Sequence, residues 1–310
     1  MSKSCIIYGG AGFIGSHIAD DLVEKGYKIT IFDKKNCSLK NVEHIKSKIK
    51  FIGGDFNNEK DIAKSIKNND YVIHLVSSTI PSDSNLNPYY DIESNLKSSL
   101  HLFEECVKNK IKKIIFISSG GTVYGNPDKL PVKESHPTNP TSSYGIIKLT
   151  IEKYLALYRE LKGLNYCILR FSNPFGPRQN PLLGQGLIVN LLYKIKHGKP
   201  IEIWGDGSIV RDFFYVKDAV KSIHKAINDR SKNLIYNISS SKGLSVNQLL
   251  RKFRKELKLD FEVKYSAARV FDVKKNILSN TLAKKYLGWE PKTDFSTALL
   301  HTWRYIVDNE

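Results

Sequence analysis

"SCIIYGGAGFIGSHIADDLVEKGYKITIFDKKN", residues 4–36, runs from an apolar strand through a glycine turn and an amphipathic helix into a second strand. Gly9, Gly12 and Gly15 stand at GxxGxxG spacing. Alone, that spacing marks only a strand–helix turn. Here Ile6, Ile7 and Tyr8 precede it, and Ile14, Ile18 and Leu22 follow at helical intervals. Glycines so placed let the backbone approach a pyrophosphate, which then lies at the positive end of the helix. The second strand ends at Asp33, where a carboxylate accepts hydrogen bonds from a ribose diol. That favours NAD over NADP, because Asp33 would repel a 2′-phosphate even with Lys34 and Lys35 beside it.

Further strand–helix units follow. "IKFIGGDF", the helix "EKDIAKSIK", "DYVIHLV", a long helix from about 91 to 110, "IKKIIFISS" and a helix from about 142 to 161 alternate as in a Rossmann-type, doubly wound parallel sheet of the α/β class. Ligands of such sheets bind beyond the carboxyl ends of the strands, where "GGDF", "HLVSST" and "SSGGTVYG" fall. Asp55 there is placed to reach an adenine or to cap a helix, and His74, inside an apolar strand, reads as a core imidazole. The NAD-binding domain is expected over 1–172, rejoined by about 209–236. A smaller α/β substrate domain takes 173–208 and 237–310.

The whole chain narrows the field. Its 310 residues, 41% of them hydrophobic, are enough for one large or two joined domains with a real core. No apolar stretch approaches the roughly 20 residues that span a bilayer, and the start runs straight into a strand, so a cytoplasmic protein without a membrane span is expected. Cys5, Cys37, Cys106 and Cys167 are scattered singly, without CxxC pairs, and read as structural thiols with no metal site. The net charge of +17 raises a nucleic-acid partner, but the lysines are spread through nearly every helix, as in a general compositional bias.

"SSYGIIKLTIEKYL" places Tyr144 and Lys148 at i and i+4, on one helix face. Free tyrosine, with a pKa of about 10, is a poor base. A nearby ammonium and a positive nicotinamide both favour the phenolate, and lowering it by about three units needs roughly 4 kcal/mol.

With these residues in place, the chain resembles the extended short-chain dehydrogenase/reductase family, and within it the UDP-glucose 4-epimerase-like nucleotide-sugar enzymes. The resemblance runs along almost the whole length, through "GGAGFIGSH", "GGDF", "VIHLVSS", "SSGGTVYG", "SYGIIK", "LRFSNPFGPRQ", "WGDGSIVRDFFYVKD" and "LGWEPK". It implies that Gly9, Gly12, Phe13, Ile14, Gly15, Asp33, Asp55, Phe56, Leu75, Asn95 and Lys148 surround NAD, and that Tyr144 is the catalytic acid/base beside it. Arg211 and Arg269 match the family's diphosphate arginines, which suit paired oxygens because the guanidinium binds them bidentately. Asn173 matches a substrate-contacting asparagine. The two long helices imply a homodimer.

Three departures bear on the substrate. The family's serine or threonine at the reacting sugar hydroxyl stands three residues before "VY", where this chain has Gly120. Thr122 is in phase with that position if the strand stays extended, so it is expected to touch the sugar, with Ser119 or a water as fallback and turn-capping as the plainer role. "RFSN" and "RVFD" replace the commoner "RYFN" and "RPGD" or "REGD". Asn276, seven residues after Arg269, stands where sugar size is set, and being smaller than Tyr it leaves room for an N-acetyl group. A 4,6-dehydratase would carry Asp and Glu at the positions of Gly121 and Thr122. The expected function is NAD-dependent C4 epimerisation of UDP-glucose or its N-acetyl form, against an NAD(P)H-dependent 4-keto-sugar reductase or a catalytically silent nucleotide-sugar-binding protein.

Overall fold

A computed structural model describes residues 2–79, 84–232, 234–267 and 273–309. Its centre is a parallel sheet of seven strands: β1 (Ser4–Tyr8), β2 (Lys28–Asp33), β3 (Ile49–Gly53), β4 (Tyr71–His74), β5 (Lys113–Ser119), β6 (Tyr166–Phe171) and, after three short strands that lie elsewhere, β10 (Ile235–Ile238). The spatial order is β10-β6-β5-β4-β1-β2-β3. The order in which strands are added reverses between β1 and β4, the place where such sheets open a crevice beyond the strands' carboxyl ends.

Strand alternation builds the two apolar layers. Cys5 and Ile7 of β1 face helices Phe13–Glu24 and Val216–Asn228, sharing a core with Ile18, Leu22, Ala219 and Ile223. Ile6 and Tyr8, one residue out of phase, face helices Ser98–Lys108 and Ser143–Lys162 and pack with Leu102, Phe103, Ile147 and Ile151. The long helix expected near 91–110 is helical from Pro88 onward, with a π-helical stretch at Ile92–Lys97. The helix expected at 142–161 is Ser143–Lys162; the Ser142 side chain caps it by accepting from the Gly145 N–H, and Gly163 ends it in the left-handed region at φ +67°.

The second body holds the remaining strands. β7 (Asn173–Phe175), β9 (Val210–Tyr215), β11 (Gly243–Ser245) and β13 (Lys275–Asn276) form one small sheet, and β8 (Ile201–Trp204) pairs with β12 (Val263–Ser266). A third core, with Phe175, Leu192, Phe213, Leu249, Phe253 and Leu299, holds them together. The sequence-based boundary shifts here. Val210–Tyr215 belongs to this small sheet through its pairing with β7, β11 and β13, and the stretch that returns to the large sheet is helix Val216–Asn228 followed by β10.

Candidate active site

The glycine turn divides its tasks by geometry. Gly9 has φ +84° and donates its N–H to the Phe32 carbonyl at 2.9 Å, fastening the turn to β2. A Cβ on Gly15 would stand 2.2 Å from the Gly9 carbonyl oxygen and 2.7 Å from Gly10 Cα, so the helix rests directly on the turn. A Cβ on Gly12 would meet only the Gly9 oxygen, at 3.4 Å. Gly12 is also the N-cap residue and carries no side-chain cap. Open space thus adjoins an uncapped helix start, which fits a pyrophosphate. Asp33 Oδ2 accepts the Ala11 N–H at 3.0 Å, fixing its carboxylate against the turn. Leu75, whose Cβ lies 3.4 Å from where a Gly9 Cβ would be, forms the neighbouring wall.

Other expected cofactor residues are engaged differently. Asp55 is exposed, and its Oδ1 accepts the Asn57 N–H at 2.9 Å, closing a local turn. The Phe56 ring is taken up by the core, with centroids 5.6 Å from Tyr8 and 5.2 Å from His74. His74 is itself buried, paired with the Ser99 hydroxyl at 2.9 Å and held neutral by burial and by Lys148. Asn95 is buried and braces the segment after β4: its Oδ1 accepts the Ser78 N–H at 2.8 Å and its Nδ2 donates to Asp91 at 2.8 Å.

Tyr144 and Lys148 meet beyond β5. The Lys148 ammonium donates to the Ile117 carbonyl at 3.2 Å and lies 5.6 Å from the centroid of the Tyr144 ring. Burial lowers Lys148 to a pKa of about 8, while Asp91 and Glu152 work to raise it. Tyr144, in the chain without cofactor, is shifted the other way. Burial, with the Asp91 carboxylate, pushes its pKa up to about 12, and the Ser77 hydroxyl offsets this only in part. Loss of hydration and the facing carboxylate both disfavour the phenolate.

The residues around Gly120 also differ from the extended geometry assumed for Thr122. β5 ends at Ser119 and the chain turns, the Thr122 and Val123 N–H groups both donating back to the Ser119 carbonyl at 3.2 and 3.0 Å. Alternation therefore stops before Thr122. Its hydroxyl donates to the same carbonyl at 3.4 Å, which is the turn-capping role, and its Cβ backs against Gly145, next to Tyr144. A side chain at 120 would start 2.3 Å from Leu278 Cδ1, in a small core with Val123, Tyr124 and Val132. A side chain at 121 would meet only the Ser119 hydroxyl, at 3.8 Å. Asn276 is buried beside this turn. Its Nδ2 donates to the Gly120 carbonyl at 3.2 Å, and its Oδ1 has no hydrogen-bond partner among the described residues.

The two bodies enclose a cleft of about 850 Å³ lined by Phe13 and Ile14 from the glycine-turn helix and by Asn173 and Arg211 from the small sheet. Arg211 Nη1 donates to the Val273 carbonyl at 2.6 Å, and Asn173 Nδ2 to the Asp212 carbonyl at 3.1 Å. Arg269 lies outside the described residues. Sequence reasoning missed Gln179 and Asn190, which line the same cleft and each keep a buried side-chain oxygen without a partner among the described residues. Asn190 was detectable as the lone polar residue in "LIVNLLY".

A seven-stranded dinucleotide-binding sheet, a Tyr–Lys pair and a second body facing the cofactor crevice define an extended short-chain dehydrogenase/reductase. Residues 5–239 match the NAD dependent epimerase/dehydratase family, and the chain belongs to it. A Methanocaldococcus jannaschii protein that carries only a provisional assignment, UDP-glucose 4-epimerase, is 39% identical over 307 residues, covering 98% of each chain. The UDP-glucose 4-epimerase of Thermotoga maritima, solved with UDP-glucose, superposes with a TM-score of 0.93 at 35% identity, covering 98% of this chain and 99% of that one. The UDP-N-acetylglucosamine 4-epimerase of Methanobrevibacter ruminantium M1, solved with UDP-N-acetylmuramic acid, superposes at 0.93 with 32% identity, covering 100% and 99%.

Proposed function

We propose that the chain interconverts a UDP-hexose and its C4 epimer with NAD retained in the site. The observation that carries this reading is the Tyr144–Lys148 pair, one helical turn apart, in a chain that also holds an open glycine turn and an arginine-bearing cleft. The two solved relatives with UDP-sugars bound are the support for the substrate class. Gly9, Gly12, Phe13, Ile14 and Gly15 would receive the pyrophosphate, Asp33 the adenosine ribose and Lys148 the nicotinamide ribose, with Asp55, Phe56, Leu75 and Asn95 shaping the rest. NAD supplies the hydride acceptor and donor for C4, and its positive ring favours a phenolate nearby.

Tyr144 takes the O4 proton as C4 becomes a ketone, and returns it after the keto sugar has presented its other face. Thr122 or Ser119 orients O4 from the turn, Arg211 and Arg269 pair with the diphosphate, and Asn173 contacts the substrate. Asn276, buried and with an idle Oδ1, leaves room and an acceptor for an N-acetyl group. The 4-keto reductase reading rests on Gly120 alone. The exposed Tyr89, Ile92, Ile146, Leu157 and Leu161 along the two long helical segments suit a homodimer, which light scattering would read as twice the 35.2 kDa chain mass. Its substrates and cofactor would place the enzyme in the cytoplasm.

The test is proton NMR of the protein with UDP-glucose or UDP-N-acetylglucosamine and no added hydride donor. A galacto-configured anomeric signal growing to equilibrium is expected; its absence from both tubes, with NADH consumed on a 4-keto sugar nucleotide, would replace the epimerase with the reductase. Tyr144→Phe is expected to keep NAD and lose most turnover, and full activity would sink the mechanism. Asn276→Tyr is expected to reduce turnover of the N-acetylated substrate selectively, and an unchanged rate would remove Asn276 from the specificity argument.

A further inference from the structure

We infer that Asp91 is a positioning residue for this chemistry, a buried carboxylate that locks the start of the catalytic helix to the segment after β4. The inference rests on the epimerase reading for its catalytic consequence, and on hydrogen bonds for its geometry.

Asp91 is 1% exposed. Its Oδ1 accepts the Thr79 hydroxyl at 2.7 Å and Asn95 Nδ2 at 2.8 Å, and its Oδ2 accepts the Ser143 hydroxyl at 2.7 Å. Two other pieces of chain, at Thr79 and Ser143, therefore end on one carboxylate together with Asn95 of its own segment, and Ser143 is the residue before Tyr144. The donors are all neutral, and no cation forms an ion pair with Asp91 among the described residues. Glu152, the other carboxylate near Lys148, is different. It is matched bidentately by Arg170 and takes the Ser118 hydroxyl as well. Asp91 is thus the carboxylate whose charge is not cancelled on the spot. Its electrostatic neighbours are Tyr144 and Lys148.

The groups facing Lys148 are few. Tyr144 and Glu152 lie on its own helix, Asp91 on the helical segment opposite, and the neutral His74 on β4, while the Phe116 ring of β5 lies 4.9 Å away. Removing the Asp91 charge leaves the ammonium with Glu152, already shared with Arg170. Lys148 then gives up its proton more readily, and Tyr144, no longer opposed by a carboxylate, does so too.

The experiment follows the Lys148 side-chain signal in protein labelled with ¹⁵N-lysine, assigned by its disappearance in Lys148→Met, alongside the pH profile of turnover. In Asp91→Asn the Lys148 midpoint is expected to fall by about one pH unit, and the alkaline limb of turnover to move with it. Asp91→Glu, which keeps the charge, restores the midpoint; Ser143→Ala, which keeps the charge but loosens the latch, lowers turnover without moving it. Should Asp91→Asn fail to fold, Asp91→Ser gives the same readout. Wild-type turnover in Ser143→Ala overturns the latch, and an unchanged midpoint in the neutral variants overturns the electrostatic consequence drawn from it. The lysine titration reads this whether or not the wild-type protein epimerises UDP-sugars, so failure of the functional reading is seen separately, in the wild-type NMR assay.

Discussion

Gly12→Ala and Gly15→Ala add the same methyl group, and the structure assigns them different consequences. At Gly15 the new Cβ would fall 2.2 Å from one backbone atom and 2.7 Å from another. Neither can rotate away, so the turn must move by about 1 Å, an overpacking that costs about 1–3 kcal/mol. At Gly12 the nearest atom is at 3.4 Å, and φ is −73°, ordinary for alanine. The apo protein should therefore lose no more than about 1 kcal/mol, the cost of alanine as a poorer N-cap than glycine being partly offset by a stiffer unfolded chain. The space that methyl fills is the space in front of the uncapped helix start. A cofactor pyrophosphate that needs close backbone approach there would lose at least about tenfold in affinity, about 1.4 kcal/mol. Urea unfolding of the cofactor-stripped variants reads the first quantity, and NAD titration reads the second. Gly12→Ala with wild-type stability and wild-type NAD affinity would refute the placement of the pyrophosphate.

Two further predictions concern buried charge. Arg170→Met strands Glu152, whose side chain is 2% exposed, and should cost about 3–5 kcal/mol in urea unfolding, most of it recovered when Glu152→Leu is added; a loss under 1 kcal/mol would mean that the carboxylate simply takes up a proton. Lys148 has its pKa depressed on folding from 10.5 to about 8, so it opposes folding fully below about pH 8, and the opposition fades as pH rises toward 10.5. Lys148→Met should therefore stabilise the apo protein by up to about 3 kcal/mol at pH 7, with the gain shrinking above pH 8; calorimetry across that range tests both the sign and the window.

The large sheet was legible because its signals are local. GxxGxxG between two apolar runs, and strands alternating with helices, follow from residues a few positions apart. The Tyr144–Lys148 pairing was legible for the same reason, since i and i+4 share a face wherever the helix sits. Thr122 exposes the limit of such reasoning. Period-two alternation holds only while a strand continues, and the chain leaves the sheet at Ser119, where its carbonyl gathers two backbone N–H groups and a hydroxyl. Val210–Tyr215 pairs in the small sheet, which its apolar pattern could not reveal, because that pattern says that the strand is buried and not which sheet buries it. Asp91 carries no local mark at all. Its partners Thr79 and Ser143 are 12 and 52 residues away, and only the fold brings them together.

The electrostatics of the pair then acquire a direction. Side chains and burial together place Tyr144 at about 12 and Lys148 at about 8, so at neutral pH the chain by itself keeps both protonated. A base is needed in one half of the proposed cycle and an acid in the other, and a phenol fixed at either extreme serves only one of them. In the proposed role, Tyr144 held high by Asp91 and burial would be an acid by default, and would become a base only while an additional positive charge lay beside it. The oxidised nicotinamide carries such a charge and the reduced one does not. Tyr144 would then surrender its bias toward the proton when C4 is to be oxidised, and regain it when the ketone is to be reduced. On this account the carboxylate that makes Tyr144 a poor base in the bare chain is what ties its proton to the redox state of the site.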